Sequence, residues 1–105
     1  MGNFKTIYII LSALEKALDS GFDENDISPE RLGISERRRD ALLEMMQGEG
    51  YITGAIFTEF AGGMRGINID GIRITLKGLE YLENNGMMQK AYRALKGLKE
   101  ITPGL

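Results

Sequence analysis

Residues 35–56 are the part of the sequence that most restricts the possible folds of this chain. Ser35 is a favoured helix N-cap, and about three turns of amphipathic sequence follow it, with three consecutive arginines in the first turn. Two glycines then end the helix, and residues 51–56 are rich in the aromatic and β-branched side chains of a strand. The stretch therefore predicts a helix that begins with basic residues and leads directly into a β-strand.

The first predicted helix covers residues 3–20, with Asn3 as its cap and Gly21 at its end. Apolar positions repeat along it at the helical period, which predicts a buried face. The residues of that face are Phe4, Ile7, Tyr8, Leu11, Leu14 and Leu18. Further apolar residues widen the face, so we expect this helix to be covered on two sides, by its own domain or by a second copy.

A short helix is predicted between the first helix and residues 35–56. An acidic connector comes before it, anchored by Phe22 and Ile27, and we expect a turn or a short edge strand near Ile27. Ser28 and Pro29 are a cap and a first helical residue, and Gly33 ends the short helix. Two closely spaced helices joined by a glycine predict a helix-turn-helix element. In its second helix, the residues predicted to face the core are Ala41, Leu42, Met45 and Met46.

A β-hairpin is predicted after the helix-turn-helix element. Residues 51–56 form its first arm, with residues 57–60 as an extension that the sequence allows, residues 61–66 form a glycine-rich turn, and residues 67–74 alternate as the second arm. Asp70 and Gly71 interrupt that alternation, so we expect the second arm to be kinked or doubled there.

Two helices are predicted after the hairpin. Thr75 caps the first, over residues 76–83, and a last helix begins at residue 87 or 88 and ends near residue 101. The last helix has an apolar inner face and a basic outer face. Winged helix dimers are often built from terminal helices, so a homodimer through the first and last helices is an expectation.

This order of elements predicts an α+β, mainly α fold. It is a winged helix-turn-helix with a two- or three-stranded β-hairpin wing and an extra C-terminal helix, as a single domain over residues 1–105. A chain of 105 residues with 43% hydrophobic residues can bury a core without a disulfide or a metal.

Local motifs give the chain a family resemblance. Residues 49–52 (Glu-Gly-Tyr-Ile), residues 75–82 (Thr-Leu-Lys-Gly-Leu-Glu-Tyr-Leu), residues 83–86 (Glu-Asn-Asn-Gly) and residues 90–92 (Lys-Ala-Tyr) are the matching segments. With them the chain resembles the YjcQ-like family of small winged helix proteins from Gram-positive bacteria and their phages. The resemblance implies the fold and no particular mechanism.

Composition argues against an enzyme or a metal protein. The chain has no cysteine and no histidine, so it lacks thiolate nucleophiles, the commonest metal ligands and the commonest general base. The acids near residue 24 do not have the spacing of a calcium-binding loop, and no glycine-rich phosphate-binding loop is present. We therefore expect no catalytic residue, no metal site and no cofactor.

The same features bear on the compartment. The absence of cysteine fits a reducing cytoplasm. We expect no signal peptide and no membrane span, because the N-terminal residues lack a signal pattern and the longest apolar run is only five residues. A cytoplasmic protein is the expectation.

The charge distribution is uneven along the chain. Residues 1–62 carry 6 Lys/Arg and 11 Asp/Glu, and residues 63–105 carry 7 and 4, so the halves differ in sign while the whole chain nets −2. Phosphate neutralisation drives sequence-independent binding to DNA. The net charge of −2 argues against strong sequence-independent binding to DNA but does not exclude DNA binding.

Double-stranded DNA is the partner that the basic helix start favours. Arginines there reach phosphates or guanine edges when such a helix lies in the major groove, and an arginine at the hairpin tip can enter the minor groove. The residues predicted to contact DNA are Arg37, Arg38, Arg39, Arg65 and Lys77. The predicted function is a DNA-binding protein, with transcriptional regulation as the role.

Two alternatives stay open at this point. The arginines could instead form a solvated helix face, paired with Glu36, Asp40 and Glu44. The whole domain could be a protein-interaction module without DNA binding, as its acidic first half and its pI of 5.2 suggest. A continuous positive stripe over the helix and hairpin would favour DNA, and an interrupted one would favour the interaction module.

Overall fold

The computed structural model describes residues 2–86 of the chain, which form a winged helix-turn-helix. Its helices are α1 (Asn3–Ser20), a 3₁₀ helix (Glu24–Ile27), α2 (Pro29–Leu32), α3 (Glu36–Gly48) and α4 (Leu76–Asn84). Its strands are β1 (Ile52–Thr53), β2 (Ile56–Glu59), β3 (Arg65–Asn68) and β4 (Arg73–Ile74). The predicted last helix, and with it half of the predicted dimer seam, lies outside the described residues. None of the helices in the described part has the length and apolarity needed to cross a membrane.

Three hydroxyl side chains cap helices as the sequence predicts. Ser28 Oγ accepts from the amide of residue 31 at 3.2 Å, and Ser35 Oγ accepts from the amide of residue 38 at 3.1 Å. Thr75 Oγ1 accepts from the amide of residue 78 at 3.1 Å. Each hydroxyl satisfies an amide that has no partner within its own helix, which fixes where α2, α3 and α4 begin.

The predicted cap of α1 is wrong. Gly2 holds the N-cap position, and Asn3 lies inside the helix. The Asn3 side chain is used elsewhere, since its Oδ1 accepts from Arg38 Nη1 of α3 at 3.0 Å.

The acidic connector forms a 3₁₀ helix, so the short edge strand considered near Ile27 is wrong. Asp23 Oδ1 accepts from the Asn25 amide at 3.0 Å, and this local bond favours a tight turn over an extended strand. Ile27 is fully buried and Phe22 packs partly buried against the core, so both predicted anchors are confirmed.

The core collects side chains from every helix within residues 2–86 and from the hairpin. Its buried members include Tyr8, Ile10, Leu11, Leu14, Ile27, Leu32, Leu43, Met46, Ile52, Ile69, Ile72, Ile74 and Leu82. The predicted inner face of α1 is partly wrong, because Phe4 and Leu18 near its two ends are exposed while Ile10 is buried. Ile7, Ile9 and Ala13 pack partly buried, so the wide coverage expected for α1 is present.

The predicted inner face of α3 is rotated about its axis. Leu42 and Met46 are buried as predicted, but Ala41 is exposed and the Met45 side chain is 58% exposed. Leu43 and Arg39 take the inward positions instead. Residues 39, 42, 43 and 46 recur at helical spacing, so the true buried stripe includes a charged residue that hydrophobicity alone would place outside.

The hairpin is broken in both arms. β1 pairs with β4 through Ile52↔Ile74, and β2 pairs with β3 from Ile56↔Asn68 to the end of the strands. The expected interruption of the second arm near Asp70 is confirmed. The first arm is interrupted too, at Gly54, whose φ of +90° suits glycine, and an added Cβ there would overlap the Gly71 carbonyl oxygen. We call residues 56–68, from β2 through β3, the wing.

Gly78 lets α4 approach β4 and the residue before β1. It is buried, and a Cβ added to it would lie 2.6 Å from Ile74 Cγ1 and would overlap the Tyr51 carbonyl oxygen. The absence of a side chain at this position therefore permits the close approach between α4 and its neighbours.

Replacing Gly78 with alanine should lower the free energy of unfolding by about 1–3 kcal/mol, because the overlap outweighs the better helix propensity of alanine. Gly48 is the matched control, since it also lies in a helix but has no atom within 4 Å of an added Cβ. Gly48→Ala should be neutral or stabilising by up to about 1 kcal/mol. Chemical denaturation of the two variants measures both values, and equal effects would contradict the close approach.

Candidate nucleic-acid interface

Arg37 and Arg38 project from the exposed first turn of α3. The Arg38 guanidinium donates to Asn3 Oδ1, an uncharged partner. Within residues 2–86 the Arg37 side chain has no hydrogen bond or ion pair, and neither arginine pairs with a carboxylate. Both guanidinium groups are therefore available to an anionic ligand.

Arg39 is turned inward, although it follows directly in the sequence. It is only 9% exposed, and its Nε and Nη2 both lie 3.0 Å from Asp40 Oδ1. Its Nη1 donates to the Ile27 carbonyl oxygen at 3.4 Å, which ties α3 to the end of the 3₁₀ helix. The guanidinium is satisfied by these partners and is not presented at the surface, so we leave Arg39 out of the proposed interface.

Arg65 lies at the start of β3 and reaches across to α3. It forms a bidentate pair with Glu44, with Nη1–Oε1 at 3.2 Å and Nη2–Oε2 at 2.7 Å. The hydrogen bonds from Arg65 lower the pKa of Glu44, and the same bonds raise the pKa of Arg65. Both side chains stay about half exposed, so the pair lies at the surface.

Strand alternation explains why Arg65 faces α3. Arg65 pairs with Glu59, and Phe57 pairs with Ile67, so these four residues share one face of the wing. Phe57 and Ile67 pack partly buried against the core, which turns that face inward. The Arg65 side chain is thereby directed toward Glu44.

Gln47 makes a second connection between α3 and the hairpin. Its Nε2 donates to the Ala55 carbonyl oxygen at 2.9 Å, and its Oε1 accepts from the Ala55 amide at 2.8 Å. Glu44 and Gln47 are three residues apart and therefore neighbours on α3. The sequence suggests Glu44 as part of a solvated helix face and does not reveal that this face holds the hairpin; the i, i+3 spacing of two polar residues was the available signal.

A cleft of about 710 Å³ separates α3 from the wing. Its lining residues are Glu36, Arg37, Asp40, Ala41, Glu44, Phe57, Gly63, Arg65, Gly66 and Ile67. Three carboxylates face two arginines there, above apolar side chains. The positive charge is thus interrupted between the start of α3 and the wing.

Lys77 extends the set of exposed cations to α4. Its Nζ donates to the Glu49 carbonyl oxygen at 2.8 Å and lies 5.3 Å from the centre of the Tyr51 ring. A cation beside the C-terminal end of α3 is electrostatically favourable. Lys77 therefore has a structural role in joining α4 to the turn after α3, while its side chain stays exposed. Among residues 2–86 no group of acidic side chains is arranged to hold a metal ion.

Comparison with known proteins places this chain in a protein family. The model of a family described as YjcQ protein matches residues 8–101, which include all of α3 and the wing. The chain belongs to the YjcQ family. Uncharacterized protein YjcQ of Bacillus subtilis (strain 168) is 30% identical over 100 residues, which cover 95% of this chain and 97% of that relative. No solved structure matches the chain.

The family membership suggested by the local motifs is confirmed. The matched residues contain both halves of the cleft and both connections between α3 and the hairpin. The candidate interface thus lies within the part of the chain that defines the family.

The pKa of Glu44 should lie below the ordinary glutamate range, as carboxyl-carbon NMR can measure. Because its folded pKa is lowered, the pair stabilises the fold above the unfolded pKa of about 4.3, and this contribution is lost as the pH falls through the folded value. Arg65→Ala should return the Glu44 midpoint to the ordinary range. Arg73→Ala removes a cation from β4 instead and should leave Glu44 unchanged; an equal shift in both variants would contradict the pairing.

Proposed function

We propose that this YjcQ family member binds double-stranded DNA through the start of α3, as a transcriptional regulator. One observation carries the proposal: Arg37 and Arg38 are exposed on the first turn of the second helix of a helix-turn-helix, without a carboxylate partner among residues 2–86. This is the part of such a helix that contacts base edges when it lies in the major groove.

Each arginine has a distinct position in the proposed complex. Arg37 lines the cleft and is free to donate two parallel hydrogen bonds to guanine O6 and N7. Arg38 is held toward α1 by Asn3, which directs it away from the wing and suits a phosphate contact. Lys77 is the third proposed contact, to the DNA backbone.

The charge balance sets the kind of binding. Residues 2–86 carry 9 Lys/Arg and 14 Asp/Glu. Few phosphate contacts are available within these residues, so their contribution to sequence-independent affinity is weak and falls modestly with salt. Base contacts from α3 must then supply most of the preference for a site.

Arg37→Ala should weaken binding to a selected duplex by about 1–3 kcal/mol and relax the preference at one base position, because a bidentate base contact is lost. Selection of bound sequences from random duplexes, followed by fluorescence anisotropy at several salt concentrations, measures both effects. Lys16→Ala removes one exposed charge from α1 and serves as the matched control. Absence of any enriched sequence, or unchanged affinity in an Arg37→Ala/Arg38→Ala variant, would count against DNA binding.

A second candidate function is docking to a basic protein surface. The observation that favours it is the interruption of positive charge at the cleft, where three carboxylates outnumber two arginines around apolar side chains, as expected for an interaction module. Charge complementarity would then select a basic partner. In this second proposal the carboxylates of the cleft attract a basic partner, whereas in the first the arginines attract DNA.

Glu36→Gln separates the two candidates, because Glu36 is exposed at the rim of the cleft. Removing its charge should strengthen DNA binding and should weaken capture of a basic protein partner. Anisotropy measures the first effect, and quantitative cross-linking from lysate with wild-type and variant protein measures the second. Glu15→Gln makes the same charge change on α1 and should alter neither; capture that does not depend on Glu36 would contradict docking in the cleft.

A further inference from the structure

Arg65 is the single cation in residues 54–72, the part of the chain that contains the wing. Both of its terminal nitrogens are engaged by Glu44, at 3.2 and 2.7 Å. The wing therefore offers no unpaired positive charge to DNA in the free protein.

Glu44 also lies on the side of α3 that the proposed DNA site uses. It follows Arg37 by seven residues, which is two helical turns, and both residues line the cleft. A duplex bound at Arg37 therefore brings its charged backbone and its base edges close to Glu44.

We propose that Glu44 is a specificity-determining residue that withholds Arg65 from phosphate until the bound duplex offers the carboxylate a donor of its own. The chemical group that fits is the amino group of cytosine, which is exposed in the major groove and is a donor that carboxylates accept from. The inference rests on the proposed DNA binding and names one base chemistry for the same site.

The exchange follows from the chemistry of the two ligands. A phosphate supplies acceptors only, so phosphate that takes Arg65 leaves the Glu44 charge unpaired beside an anion. A cytosine amino group gives the Glu44 carboxylate one donor in place of the two that it loses, and Arg65 is then free for a phosphate. Binding to an arbitrary sequence is therefore weakened, because Glu44 is left without a donor. Binding at a site with a suitably placed cytosine is not weakened in this way.

The exchange does not require the wing to unfold. An exposed ion pair of this kind stabilises a fold only weakly, so it can be displaced. The Gln47–Ala55 hydrogen bonds hold the base of the hairpin independently, and the Phe57–Ile67 pair keeps the wing packed. Release of Arg65 is therefore a side-chain event.

The test compares wild type, Glu44→Gln and Glu15→Gln on a random-sequence duplex and on the selected duplex. Glu44→Gln should bind the random duplex more tightly, with a salt slope steeper by about 0.9, because one more phosphate contact forms. The ratio of its affinity for the random duplex to that of wild type should fall by about 3.5-fold between 50 and 200 mM salt. Its preference for the selected over the random duplex should fall, whereas Glu15→Gln should keep the wild-type slope and preference.

The Arg65→Ala background provides the decisive control. The increase in salt slope caused by Glu44→Gln should vanish when Arg65 is absent, because Arg65 supplies the extra phosphate contact; a steeper slope that persists there, or one that Glu15→Gln reproduces, overturns the role of Glu44. If the role of Glu44 is overturned but wild-type binding still depends on Arg37, the proposed function stands. If neither wild type nor Glu44→Gln binds any duplex, both proposals fail. Circular dichroism melting of each variant verifies that the fold is retained.

Discussion

The two hydrogen bonds between the Gln47 carboxamide and the Ala55 backbone connect the helical body to the hairpin. Ala55 is buried and lies where the first arm of the hairpin leaves its ladder, so its amide and carbonyl would otherwise lack partners. One side chain satisfies both groups, as a neighbouring strand would. The orientation of the wing relative to α3, and with it the cleft and the Glu44–Arg65 pair, depends on this connection.

Much of the fold could be predicted because its signals are local. Ser35 and Thr75 cap helices through bonds to amides three residues away, and Gly78 marks a close approach that any larger residue would block. Such effects involve one residue and its near neighbours, so the sequence contains them directly. Helix order and the wing followed from these positions.

The rest depends on contacts between distant residues. Arg39 is inward because Asp40 and the Ile27 carbonyl oxygen satisfy its charge, and that carbonyl is twelve residues away. Hydrophobic periodicity ranks an arginine as exposed and so places the face of α3 wrongly. The Glu44–Arg65 pair, which spans 21 residues, depends on the register of the hairpin and cannot be read from either segment alone. For the candidate site, the sequence therefore predicts exposed arginines at positions 37 and 38, which the structure has, and leaves open whether the positive charge continues from α3 to the wing.

The division of the hairpin into two strand pairs separates the ladder in the core from the ladder in the wing. The Ile52↔Ile74 pair belongs to the core, while the pairs from Ile56↔Asn68 outward lie beyond the break. Adding two residues to each arm of the wing would preserve which face each side chain occupies, and the core pair would not change. The same insertion would move the start of β3 by about 7 Å and carry Arg65 out of reach of Glu44. The strand pair in the core therefore does not constrain the length of the wing. The contact between Glu44 and Arg65 forms only at the present length.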